Sequence, residues 1–132
     1  MGSSLTGERI SIFIESIGSI DGLLQRFLAP RTVDAIIKIL PIAGRAALLE
    51  GVLYIPIPFK LGLGVEKGVS FAKRGSIGYW PFANALCLFY DNIKMRTPLS
   101  LVGRILDDPE ILKPVISGTR IVVSKWMPSE RF

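Results

Sequence analysis

Four aromatic side chains in the middle of the chain are the groups best suited to bind a ligand. They are Tyr79, Trp80, Phe82 and Phe89. They come together if the two segments that carry them pair as a hairpin across the corner at residues 81–84. Pockets favour aromatic walls with a few polar groups, which Asn84 and Arg104 are candidates to supply. Such a cluster is more often plain core, so the sequence leaves open whether it forms a pocket or a core.

Cys87 lies in the same stretch and is the only cysteine of the chain. Between Leu86 and Leu88, a buried thiol behaves as a small apolar side chain. No histidine and no neighbouring cation in the sequence lowers its pKa, so a nucleophilic role is disfavoured. We therefore expect Cys87 to pack in or beside the aromatic cluster.

The absence of histidine excludes several familiar catalytic sites. A serine triad, a cysteine–histidine dyad and a zinc site of cysteine and histidine ligands cannot be assembled. The glycine-rich segment 62–68 has the spacing of neither the dinucleotide fingerprint nor the Walker loop. The adjacent acids Asp107 and Asp108 are explained by helix capping. We therefore expect no catalytic residue, no metal and no cofactor.

The formal net charge of +5 favours anionic partners in general. The basic residues are spread along the chain, however, and no nucleic-acid-binding signature accompanies them, so we expect no specific nucleic-acid partner. The longest uncharged stretch, between Arg74 and Asp91, is too short and too broken for a membrane span. We expect a cytoplasmic protein, and its few side-chain amides and many prolines favour a thermophilic source.

The N-terminal part of the chain predicts a hairpin followed by a helix. Alternating isoleucines in 8–15 indicate a strand with one buried face, and 20–28 is predicted to be its returning partner. Thr32 is predicted to cap the helix that follows, whose apolar residues recur at i, i+3, i+4 and i+7. Pro41 ends that helix.

The rest of the chain is rich in short strands. They are predicted at 43–49, 52–59, 76–80, 85–90, 99–106 and 119–125. Segments 61–74 and 91–98 are predicted to be connections between strands. Asp108, Pro109 and Glu110 mark the start of a short second helix.

Many short strands with few helices indicate a closed or nearly closed barrel, because closure removes exposed sheet edges. We therefore predict a mainly β fold, a closed β-barrel with one amphipathic helix and one short helix. The length fits one domain, at residues 8–127, between a flexible N-terminal tail at 1–7 and a C-terminal tail at 128–132.

The central segment also carries a resemblance to a known family. Tyr79-Trp80-Pro81 and Ala85-Leu86-Cys87-Leu88-Phe89 resemble the signature of a cyclophilin-like barrel family of small archaeal and bacterial proteins of unassigned activity. The second run is also similar to the Gly-Ser-Gln-Phe-Phe-Ile strand of the cyclophilins themselves. The resemblance implies a cyclophilin-like barrel in which Phe89 matches the aromatic side chain that lines the proline pocket.

Departures from the cyclophilins bear on function. The isomerase arginine of cyclophilins lies on a Phe-His-Arg strand, and the corresponding region near 52–56 has neither histidine nor arginine. The pocket histidine and tryptophan that follow the Gln-Phe-Phe strand are missing from 91–98. The resemblance therefore implies a pocket without its catalytic group.

Three functional hypotheses follow. The first is a non-catalytic module, a monomer or small homo-oligomer, that binds an unknown small molecule or protein partner through residues of the aromatic segment. Those residues are Tyr79, Trp80, Phe82, Asn84, Cys87, Phe89 and Arg104. The second is a divergent prolyl isomerase, which needs Arg45 or Arg104 to reach the pocket. The third is a small-molecule enzyme or subunit related to the cyclophilin-like domains of carboxylase-associated amidohydrolases.

Overall fold

The computed structural model describes residues 6–127, which form ten β-strands, one α-helix and one 3-10 helix. The strands are β1 (Glu8–Ile14), β2 (Gly18–Leu24), β3 (Ile42–Arg45), β4 (Ala47–Leu49), β5 (Val52–Pro56), β6 (Val69–Ala72), β7 (Ser76–Trp80), β8 (Ala85–Phe89), β9 (Ile93–Ile105) and β10 (Arg120–Lys125). The α-helix is α1 (Pro30–Ile39), and the 3-10 helix spans Pro109–Leu112. Of the predicted tails, residues 1–5 and 128–132 lie outside the described residues.

Nine strands form one antiparallel path in the order β3, β10, β1, β2, β9, β7, β8, β5, β4, and β6 pairs with β9 beside it. The predicted mainly β fold is confirmed. It differs from the prediction in one respect, because the end strands β3 and β4 do not pair with each other and the barrel is not closed. Ala46 joins these two strands, and its backbone N–H donates to the Thr119 carbonyl at 2.8 Å. This bond ties the junction to the segment before β10, and the sheet is open between β3 and β4.

Two apolar clusters lie on opposite faces of β7 and β8. The larger one fills the inside of the curled sheet and joins β1, β2, β3, β10 and α1 to Tyr79 and Leu88. The smaller one, here called the outer cluster, consists of Val52, Ala72, Trp80, Cys87, Phe89, Met95 and Leu99. Strand alternation explains this division, because Cys87 and Phe89 point to one face of β8 and Leu86 and Leu88 to the other.

A second layer of two strands covers the outer cluster. From Ser100 onward, β9 pairs with β7 and β2 in the main sheet, whereas its N-terminal part pairs with β6. The prediction that 61–74 and 91–98 are connections is therefore wrong, since they contain β6 and the start of β9. The segment predicted as one strand at 43–49 is likewise divided at Ala46 into β3 and β4, at opposite ends of the sheet.

Glu66, in the loop before β6, caps α1. Its carboxylate accepts hydrogen bonds from the N–H groups of Arg31 (3.2 Å) and Thr32 (2.9 Å) and from the Thr32 hydroxyl (2.8 Å). The predicted capping role of Thr32 is therefore wrong, because the helix begins at Pro30 and Thr32 lies within it. A carboxylate is favourable here, since the first N–H groups of a helix lack partners within the helix.

The capping contacts also govern the ionisation of Glu66. Partial burial raises its pKa, but the hydrogen bonds from Thr32 and Arg31 outweigh this effect and hold the pKa below its ordinary value. The ionised carboxylate is thus the form that the folded protein stabilises.

Replacing Glu66 by alanine is expected to lower the free energy of unfolding by about 1–2 kcal/mol, because the helix N–H groups lose their acceptor. Because the Glu66 pKa is lower in the folded state, this contribution is present above the unfolded-state pKa and is lost as the pH falls through the folded-state pKa. Urea unfolding of wild type and Glu66→Ala at neutral pH and at about pH 3 measures it. Glu66→Gln, which keeps one acceptor oxygen, is the control with a smaller loss. A difference that does not shrink at low pH would contradict a role for the charge.

Candidate functional site

Trp80 and Phe82 line a cleft on the outer face of the sheet. Trp80 ends β7 and is 8% exposed, and its indole Nε1 donates to the Thr97 hydroxyl at 2.7 Å. Its ring meets Tyr54 edge-on at 5.5 Å and lies 5.6 Å from the ring of Phe82. Phe82, at the corner between β7 and β8, is 77% exposed. The corner therefore presents one aromatic ring that is fixed by a hydrogen bond, Trp80, and one that is largely exposed to solvent, Phe82.

Tyr79 and Asn84 contact each other but do not line this cleft. Tyr79 is buried in the inner core, and its hydroxyl donates to Asn84 Oδ1 at 2.6 Å. The Asn84 amide donates in turn to the carbonyls of Ile57 (3.3 Å) and Phe59 (3.0 Å). Burial raises the pKa of the Tyr79 hydroxyl, which keeps it protonated as a donor. The pair thus holds the aromatic corner in place.

Cys87 and Phe89 are fully buried in the outer cluster, beneath the second layer. Burial raises the pKa of the Cys87 thiol to about 12, so the thiol stays protonated at neutral pH. A Cβ added to Gly78 would meet Leu99 and Phe89, which shows how closely the second layer lies on this face. Phe89 therefore belongs to the same apolar cluster as Met95 and Leu99 of the protein's own β9.

Arg104 is exposed on the C-terminal part of β9, where it lies between Leu23 of β2 and Ser76 of β7. It does not line the cleft. Arg45 does not line it either, and its Nη1 donates to the Gly118 carbonyl at 3.2 Å. The isomerase hypothesis needs Arg45 or Arg104 to reach the pocket, and neither lines the cleft at the aromatic corner.

The cleft has a volume of about 960 Å³. Its lining residues come from the β4–β5 turn and the strand ends beside it, the aromatic corner, the β8–β9 turn and the first part of β9. They are Leu49, Glu50, Val52, Trp80, Phe82, Asp91, Asn92, Ile93, Lys94, Met95, Arg96 and Thr97. Val52, Trp80 and Met95 form an apolar floor that belongs to the outer cluster. Two acidic and two basic residues complete the lining.

The lining residues from β9 lie in 91–98, which is predicted to be a connection, and the sequence prediction therefore does not include them. Ile93, Met95 and Thr97 alternate with Lys94 and Arg96, a pattern typical of a half-buried strand. This signal was available in the sequence.

No three carboxylate or thiol side chains come together as a metal site anywhere in residues 6–127. Over the same residues, neither helix has the length and apolar character needed to cross a membrane. The chemistry of the cleft is therefore that of an apolar floor, two aromatic rings and charged side chains.

The curled antiparallel sheet with its outer second layer places this protein in the class of cyclophilin-like β folds. The sequence profile described as Cyclophilin-like matches residues 8–124. The chain therefore belongs to the Cyclophilin-like family.

Two solved structures share the fold. The hypothetical protein AF2241 from Archaeoglobus fulgidus superposes with a TM-score of 0.75 and 28% sequence identity, over 96% of this chain and all of that one. McbB, solved in complex with tryptophan, superposes with a TM-score of 0.75 and 14% identity, over 93% of this chain and 46% of the McbB chain. The identity to McbB supports a shared fold alone. Comparison with curated proteins gave no match.

Proposed function

We propose that this protein is a non-catalytic cyclophilin-like module whose cleft binds a small amphipathic molecule or a segment of a protein partner. The observation that carries the proposal is the apolar floor of Val52, Trp80 and Met95 beneath a charged rim. The cleft volume of about 960 Å³ is in the range of small-molecule sites. Burial of apolar ligand surface against this floor supplies affinity, and the rim supplies orientation.

Two observations favour this cleft and a binding role. A second cavity of about 580 Å³, between residues 15–17 and 114–119, has no aromatic side chain in its lining. The alternative of a divergent isomerase rests on Arg45 or Arg104 at the site, and neither lines the cleft, whose one arginine is Arg96. Ligand binding at the cleft lined by Trp80 and Phe82 is therefore better supported than binding at the second cavity or isomerase activity.

A matched pair of probes tests the proposal. Phenylbutylamine and phenylbutyrate share an apolar part and differ in charge. Comparing their affinities shows whether the acidic or the basic side chains of the rim contribute more to binding. We expect either probe to shift the indole N–H resonance of Trp80 and the amide resonances of β9 in a ¹H–¹⁵N NMR titration. The indole resonance of Trp126, the other tryptophan and not a lining residue, should stay unchanged.

Phe82→Ala is expected to weaken binding of the better probe by about tenfold, because the exposed ring of the cleft is lost. The matched control is Phe27→Ala, since Phe27 is also strongly exposed and does not line the cleft. Equal effects of both variants, or shifts that are confined to Trp126, would contradict the assignment of the cleft as the binding site.

A further inference from the structure

Five successive residues of β9 line the cleft without a gap. They are Ile93, Lys94, Met95, Arg96 and Thr97. Successive side chains of a strand point to opposite faces, so a cleft against one face would contact alternate residues only. Contact with all five is what a cleft along the edge of β9 gives, and the backbone N–H and C=O groups of a strand point toward its edges.

This edge of β9 pairs with no strand in the part of the chain that the structure describes. The N-terminal part of β9 pairs with β6 on its other edge, and no β6 residue lines the cleft. The register with β6 also shifts between Lys94 and Leu99, so the residues between them have no ladder partner on the β6 side either. Bulges leave backbone groups unpaired and occur beside binding sites. Backbone groups without partners on a strand edge are a template for another strand.

The space beside this edge fits one extended segment. Five residues of a strand span about 16 Å, the length of β9 that lines the cleft. The floor under this edge is the outer face of the main sheet at Val52 and Trp80. A segment seated here would extend the two-stranded layer of β6 and β9 to three strands.

The acidic residues of the rim lie together at the start of β9. Glu50 belongs to the β4–β5 turn and Asp91 to the β8–β9 turn. These turns are joined by the hydrogen bond from the Tyr90 N–H to the Gly51 carbonyl, at 3.0 Å. The two carboxylates outnumber Lys94, the basic lining residue at the start of β9, and leave this end of the cleft with a net negative charge.

The opposite end of the cleft is basic. Arg96 precedes Thr97, whose hydroxyl accepts the hydrogen bond from Trp80 at the aromatic corner. A segment antiparallel to β9 has its N-terminal end here and its C-terminal end beside Glu50 and Asp91. The charges on the rim thus define the direction of an extended occupant.

Resting on the proposed function, we infer that the occupant is an extended segment of a partner protein, added to β9 as an antiparallel strand. It carries an acidic residue at its N-terminal end, alternate apolar residues over Val52 and Trp80, and a basic residue at its C-terminal end. Strand addition derives affinity from main-chain hydrogen bonds and specificity from alternate side chains. Proline is excluded wherever the N–H of the segment faces β9, which distinguishes this ligand from the substrate of a prolyl isomerase.

The probe is the peptide acetyl-Glu-Val-Thr-Val-Lys-amide, titrated into the full chain by NMR. We expect shifts and slowed hydrogen exchange at the amides of β9 that line the cleft. N-methylation of the threonine and of the second valine in separate peptides removes N–H donors of opposite parity. Strand addition predicts about tenfold weaker binding for one of these peptides and little change for the other. Equal binding by both would overturn main-chain pairing.

Charge reversal tests the direction of the segment. Wild type should bind the Glu-first peptide better than acetyl-Lys-Val-Thr-Val-Glu-amide, and Arg96→Glu should reduce or invert this preference. Arg120→Glu is the matched control, because Arg120 is exposed on β10 and does not line the cleft. An unchanged preference in Arg96→Glu would overturn the proposed orientation.

Three outcomes separate this inference from the proposed function. Binding of a phenylbutyl probe without binding of the peptide overturns strand addition and leaves the binding module intact. Failure of both the probes and the peptide overturns the proposed function as well. Self-association through β9, detected as a dimer that Arg96→Glu dissociates in sedimentation, would replace the partner segment by a second copy and overturn the inference.

Discussion

Replacing Phe89 by alanine is expected to lower the free energy of unfolding by about 3–5 kcal/mol. Phe89 is fully buried between the main sheet and the second layer, so its removal leaves a cavity beneath β9. Neither layer can close that cavity without moving a strand, which places the expected loss in the range for large core truncations. Urea or guanidinium unfolding followed by circular dichroism measures this loss.

Two further variants make the Phe89 result specific. Phe89→Leu keeps most of the apolar volume and should cost less than about 1.5 kcal/mol. Phe82→Ala removes the same ring from an exposed position and should change stability by no more than about 0.5 kcal/mol. A loss below about 1 kcal/mol for Phe89→Ala would mean that the second layer does not pack on the sheet as described.

Replacing Gly103 by alanine is expected to destabilise the protein by about 3 kcal/mol or more. Gly103 lies in the C-terminal part of β9, between β2 and β7. A Cβ at this position would overlap the carbonyl oxygen of Leu23 in β2, and a backbone atom in a sheet interior cannot turn aside as a side chain can. The two strands must separate, which weakens the ladder that joins the two halves of the sheet.

Gly64 provides the matched glycine control. It lies in the loop between β5 and β6, and a Cβ added there meets no atom within 4 Å. Gly64→Ala should therefore change stability by no more than about 0.5 kcal/mol. Similar thermal and urea unfolding of Gly103→Ala and wild type would contradict the close approach of β2 and β9.

Elements with strong local signals could be predicted from the sequence. Alternating isoleucines identified β1, and the apolar residues around the Tyr-Trp-Pro corner identified β7 and β8 on either side of it. The signal of the 3-10 helix was also local, since Asp108 caps it by accepting the Glu110 N–H at 3.0 Å. In each case, residues adjacent in the sequence are sufficient to predict the element.

Elements that depend on distant partners could not be predicted in the same way. Glu66 caps α1 from more than thirty residues away, so Thr32 was the best local candidate. The strand β6 is four residues long, and its pairing with β9 is a tertiary contact. Ala46 lies between strands at opposite ends of the sheet, a division that no local pattern of 43–49 indicates.

The candidate site was predicted only in part for the same reason. Trp80 and Phe82 were found because they are neighbours in one aromatic corner. Glu50 and Arg96 come from other segments, and only the fold of β9 over the sheet brings them to the same cleft. Cys87 is likewise buried beneath the second layer and does not line the cleft, and this placement depends on the tertiary fold of that layer.

The burial of Cys87 beneath that layer makes its thiol a built-in reporter of opening. Thiol reagents attack the thiolate, which is scarce at neutral pH because burial raises the Cys87 pKa to about 12. Labelling therefore requires β6 and the start of β9 to lift from the sheet and admit water. Because the chain has one cysteine, the labelling rate follows this single event and reports the free energy of local opening. A ligand that contacts both β9 and the floor of the cleft stabilises the closed second layer. Its binding should therefore slow the labelling of Cys87, although the ligand does not contact that residue.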